Sequence, residues 1–202
     1  MLVLRTAWDS SVTGFVLIAV MALSCLGAVG CTSAPPVAPP REYLDERTGN
    51  TITVAGKPSV FARERAERAA NQRDYVTLLT AAVNRAGRIR YVWVAYVWST
   101  LEARYAGNGD ALVITADDRR LVLAREADTD ISTGISKPAE SPPGGRAIPQ
   151  IYATDLEILR FVNAARSLRV QTSTEADAPY YDLWDDQRAS LAEFARLAAG
   201  ER

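Results

Sequence analysis

From Tyr91 to Trp98 the chain reads Tyr91-Val92-Trp93-Val94-Ala95-Tyr96-Val97-Trp98, with no polar residue at either parity. A strand sends alternate side chains to opposite faces, so this run has no face to offer to water. Its length and its β-branched and aromatic content argue against a helix. Any fold for the chain must therefore cover both sides of one central strand. Tyr91, Trp93, Tyr96 and Trp98 are also candidates for an exposed ligand platform, although packing into a core accounts for them more simply.

The neighbouring segments predict more sheet. Tyr75–Val83 precedes Asn84-Arg85-Ala86-Gly87, where Gly87 supplies the positive φ of a longer hairpin loop before the strand from Arg88. Thr51–Val54 and Ser59–Ala62 read as strands on either side of the turn-forming Ala55-Gly56-Lys57-Pro58. Between Ala62 and Arg73, alternating charge with only alanine as an apolar stripe reads as a solvated helical turn. Gly107-Asn108-Gly109-Asp110 is a turn, and Ala111–Thr115 with Leu121–Ala124 forms another hairpin. Lys137–Pro149, rich in proline and glycine, is a long irregular loop, read as mobile or as a partner-binding segment, with mobility the simpler reading.

Two helices close the chain. Thr154-Asp155-Leu156-Glu157 fits a capping box, with Leu156, Leu159, Val162 and Ala165 along one face. Leu168, Val170 and Thr172 then alternate with polar residues as a strand. Asp185-Asp186 opens a second helix that buries Leu191, Phe194, Leu197 and Ala198 and ends at Gly200. The whole predicts an α+β domain, mainly antiparallel β as a sandwich or curved sheet, with two C-terminal helices.

Composition narrows the chemistry. The chain has no histidine and two cysteines, Cys25 and Cys31. Imidazole-dependent hydrolysis and the usual zinc ligation are excluded, and no cofactor is implied. A formal net charge of −1 gives no electrostatic attraction to nucleic acid. The acidic residues that remain have bland alternatives. Glu126, Asp128 and Asp130 lack the glycine and distal glutamate of a calcium loop and read as a solvated strand edge. Asp185 and Asp186 read as helix-start charges rather than catalytic acids.

The N-terminal segment supplies an address. Arg5 is followed by the apolar Phe15–Leu23, then by Leu26-Gly27-Ala28-Val29-Gly30-Cys31. Ala28-Val29-Gly30-Cys31 resembles the processing site of bacterial lipoprotein precursors, with Ala28 where that family usually has leucine. The resemblance implies removal of residues 1–30 and lipid on the Cys31 thiol and new amino group, which anchors the protein in a membrane. Two or more acyl chains hold a protein stably where one does not. The competing reading, an uncleaved membrane helix over 11–30, is diluted by Ser11, Thr13, Gly14 and Ser24. Residues 31–42 form a tether, because Thr32–Pro40 is a proline-rich run that favours extended polyproline. One globular domain occupies 43–202. Thr32, in place of the aspartate typical of inner-membrane retention, implies the outer membrane, facing the periplasm.

The block from Tyr43-Leu44-Asp45-Glu46-Arg47-Thr48 to Trp98-Ser99-Thr100 is similar to uncharacterised envelope lipoproteins of proteobacteria and carries no known active-site motif. Three functions follow as expectations. The first is a non-enzymatic binding or structural module with an envelope-protein or peptidoglycan partner. The second is a cell-wall glycan hydrolase using Glu102 with Asp117 or Asp118. The third is a carrier of an apolar ligand held by Tyr91, Trp93, Tyr96 and Trp98.

Overall fold

The longest elements are the two arms of one hairpin, β4 (Arg73–Arg85) and β5 (Arg88–Ser99), paired without interruption from Asp74↔Ser99 to Arg85↔Arg88. The structure is a computed structural model that describes residues 36–65, 72–100, 111–126, 130–137, 140, 142 and 147–200. The hairpin loop is two residues, not the longer one expected. Ala86 (φ 50) and Gly87 (φ 86) both adopt the left-handed region that such a tight turn requires. Asn84 Oδ1 accepts from Gly87 N at 2.9 Å and fixes the turn from within.

The far edge of β4 is shared by two strands. β3 (Ser59–Glu64) pairs with Arg73–Leu78, and β2 (Asn50–Val54) pairs with Ala81–Asn84. Ala55-Gly56-Lys57-Pro58 is therefore an excursion between two segments lying along one partner, not a hairpin turn. Gly56 is needed there because a Cβ would lie 1.9 Å from the carbonyl oxygen of Ala38. β1 (Arg41–Asp45) pairs with β2, so the sheet takes up Arg41 and Glu42, which the sequence reading placed in the tether.

From β3 the sheet continues through β10 (Tyr181–Asp185), β9 (Leu168–Gln171), β6 (Ala111–Ala116) and β7 (Arg119–Ala124). On the other side β5 pairs with β8 (Gln150–Thr154). The two ends meet at a single antiparallel bridge, Arg125↔Tyr152, beside a bond from Glu126 N to Ile151 O of 2.8 Å. One bridge is not a ladder. Among the described residues, ten strands form one strongly curled, unclosed antiparallel sheet, which is the α+β class expected and the curved form of it.

Parity explains the apolar and aromatic run Tyr91–Trp98 of β5. Leu121 and Leu123 are buried while Val122 between them is exposed, which marks the inner face. Register carries that face through Ile114, Val170 and Tyr181. On the central hairpin it continues as Phe61, Val76, Leu78 and Trp93, all buried. The outer face of the same hairpin is covered as well. Ile135 is buried in the core, and a Cβ on Gly134 would meet Val83 Cγ1 at 3.0 Å. The strap around these residues follows one helical turn, α1 (Asp130–Thr133), and lies across β4. Both parities of Val92–Val97 are buried.

The strap is pinned from β1 and β2. Asn50 Nδ2 and Thr48 Oγ1 donate to Gly134 O at 2.9 and 3.1 Å, and Tyr43 OH donates to Lys137 O at 3.0 Å. Arg41 forms an ion pair with Glu140. The described part of the Lys137–Pro149 loop is thus tied to the sheet.

Helices α2 (Leu156–Ala164) and α3 (Arg188–Ala198) pack against each other and bury Leu159, Val162, Leu191 and Phe194. Asp155, not Thr154, caps α2, because its carboxylate accepts from Ile158 N at 2.7 Å. Thr154 remains in β8, opposite Tyr91. Asp186 Oδ1 accepts from Arg188 N at 3.0 Å near the start of α3, whose capping residue is Gln187. Gly200, with φ 74, ends the helix as expected. Leu197, expected inside, is 49% exposed.

Candidate functional site

The four aromatic residues picked out from the sequence do not form one platform. Tyr91 and Trp93 share a parity, and Tyr96 and Trp98 share the other, so the strand sends one pair to each face. Trp93 and Tyr96 are buried, while Tyr91 and Trp98 are partly buried. Tyr91 packs edge-on against Phe194 of α3, with ring centroids 6.4 Å apart.

Tyr96 and Trp98 join residues from elsewhere to line a cleft of about 440 Å³. The hairpin register sets Tyr75 opposite Trp98, and the two rings stack at 4.3 Å with 15° between their planes. Trp98 Nε1 donates to Thr77 Oγ1 at 2.9 Å, which satisfies the indole and fixes its orientation. Trp184, toward the end of β10 and 59% exposed, also lines the cleft, as do Asp185 and Glu140. The Arg73 guanidinium lies 4.4 Å from the centre of the Trp184 ring and is held at 2.7 Å by Glu64. Tyr75 and Trp184 were missed by sequence reasoning. A two-residue turn at Ala86-Gly87 would have predicted the Tyr75–Trp98 pairing.

A second cavity, of about 320 Å³, lies between the β4–β5 hairpin, the β1–β2 pair and α3. Ile89, Tyr91, Phe194 and Leu197 supply its apolar walls, and Glu42 stands at its edge.

The acidic candidates hold the fold together. Asp117, in the tight β6–β7 turn with φ 50, accepts from Ser167 N at 2.9 Å and Arg166 N at 3.0 Å. Those bonds, the Ser167 amide foremost, hold its carboxyl below the usual carboxylate range. Asp186 is held low in the same direction by the Arg188 side chain. Glu126 takes both of its oxygens to Arg90, at 2.8 and 2.9 Å. Asp185 accepts from Gln187 Nε2 at 2.8 Å. Among the described residues no group of three metal-binding side chains converges, and no helix is long and apolar enough to cross a membrane. Cys31, Glu102 and Asp128, and the Gly107–Asp110 turn, lie outside the described residues.

Compared with protein-family models, curated proteins and solved structures, the chain matches none.

Proposed function

We propose that this is a lipid-anchored protein of the bacterial cell envelope whose curled β-sheet domain is a non-enzymatic binding module. The observation that carries the reading is the order of segments. An apolar stretch ends in Ala28-Val29-Gly30-Cys31, and only the proline-rich Thr32–Pro40 separates that cysteine from the first strand at Arg41. Acyl chains on Cys31 would hold the domain at the membrane surface, and Thr32 favours the outer membrane.

A binding role is favoured over a catalytic one because the candidate acids Asp117 and Asp186 are engaged in structural bonds. Glycan hydrolysis by Glu102 with Asp117 or Asp118 has no observation in its favour. Carriage of a small ligand does have one, the aromatic cleft at the end of the central hairpin.

Cys31→Ser tests the anchor. The wild-type chain is expected to take up labelled palmitate and the variant none. A wild-type chain that took up no label would instead favour an uncleaved helix over residues 11–30.

A further inference from the structure

We infer that the cleft formed by Tyr75, Tyr96, Trp98 and Trp184 binds an organic cation with an apolar stem, an alkylammonium or the side chain of a lysine. This deepens the reading of the domain as a binding module and is independent of the lipid anchor. The volume of about 440 Å³ falls within the range of small-ligand pockets. Four of its lining side chains are aromatic, and an aromatic face attracts cations through the ring quadrupole. The chain itself shows the preference, since Arg73 has placed its guanidinium against one face of Trp184.

Charge selects among ligands. Glu140 and Asp185 both line the cleft, and the described lining residues include no lysine or arginine. Glu140 meets Arg41, and Asp185 meets Gln187, through one carboxylate oxygen each. Asp185, whose partner is the neutral Gln187 amide, would repel an anion entering here, whereas Glu140 is already paired with Arg41. A neutral apolar ligand would strip water from the carboxylates and return nothing to them. A cation on an alkyl stem satisfies both requirements, with the stem along Val60 and Leu79 and the charge at the rim.

The test is a titration of the full-length chain in detergent, followed by tryptophan fluorescence, with hexylammonium chloride, sodium hexanoate and hexanol in parallel. Hexylammonium is expected to saturate, with hexanoate at least about tenfold weaker. Glu140→Gln with Asp185→Asn should weaken hexylammonium roughly tenfold, the combined effect of two rim charges. Trp184→Ala should also weaken it while leaving thermal unfolding unchanged, because that ring is 59% exposed. Tighter binding of a glycyl-lysyl-glycine amide than of hexylammonium would identify a polypeptide as the source of the cation, and the reverse order a free amine. Equal binding of hexanoate or hexanol, undiminished binding in the double variant, or saturation only by a neutral N-acetylglucosamine disaccharide would overturn the assignment.

Discussion

Asp74→Ala is expected to destabilise the domain by about 3–5 kcal/mol, the usual consequence of removing one partner of a buried ion cluster. Asp74 is fully buried at the start of β4, and its Oδ2 receives Arg63 at 2.7 Å and Arg65 at 2.6 Å. Those side chains are only 27% and 12% exposed, so removing the carboxylate takes a shared charge partner from two largely shielded cations. Arg63 also lies 5.5 Å from the centre of the Tyr181 ring, which ties the cluster to β10. In urea, with a slope of about 1–3 kcal/mol per molar, the midpoint should fall by at least about 1 M. Glu193→Ala, which removes an exposed pair with Arg196, is the control and should change stability by less than about 1 kcal/mol. Equal effects from the two variants would show that Asp74 is not the keystone of this end of the sheet.

Asp45→Ala is expected to cost about 3 kcal/mol and to remove much of the stability lost in acid. Asp45 is 4% exposed and accepts from Ser136 N at 2.6 Å, Ser136 Oγ at 2.7 Å and Thr48 N at 3.1 Å. It therefore ties the strap to β1. Burial alone would raise its pKa, but the bonds from Ser136, Thr48 and Lys137 outweigh burial and bring it from 3.8 down to about 2. A carboxyl depressed in the folded state adds stability above its unfolded pKa and loses it as pH falls through the folded value. The contribution, about 2 kcal/mol, should be complete above about pH 4 and fade toward pH 2. Urea midpoints at pH 7, 4 and 2 should fall more steeply for the wild type than for Asp45→Ala. Parallel curves would contradict this role.

The central hairpin was legible because Tyr91–Trp98 leaves no polar parity, and that pattern admits only a strand covered on both faces. The cover was not legible. Its outer part is the strap around Gly134 and Ile135, fastened by Asn50, Thr48 and Asp45 from far earlier in the chain. Local pattern cannot report such long-range bonds. β10 was missed because Tyr181–Asp185 is short, carries two acids and runs into the residues read as a helix start. β8 was missed because Thr154-Asp155 resembles a capping box, whereas cross-strand pairing claims Thr154 and leaves the cap to Asp155. Half of the cleft was visible in Tyr96 and Trp98. Trp184 and Glu140 reach it from β10 and the strap, so only the folded topology brings them together.

Intact mass spectrometry of the protein extracted from its native membrane tests the anchor most directly. The expected species begins at Cys31 and carries the added mass of acyl groups on its sulfur and amino nitrogen. A chain that keeps residues 1–30 with a free thiol at Cys31 would contradict it.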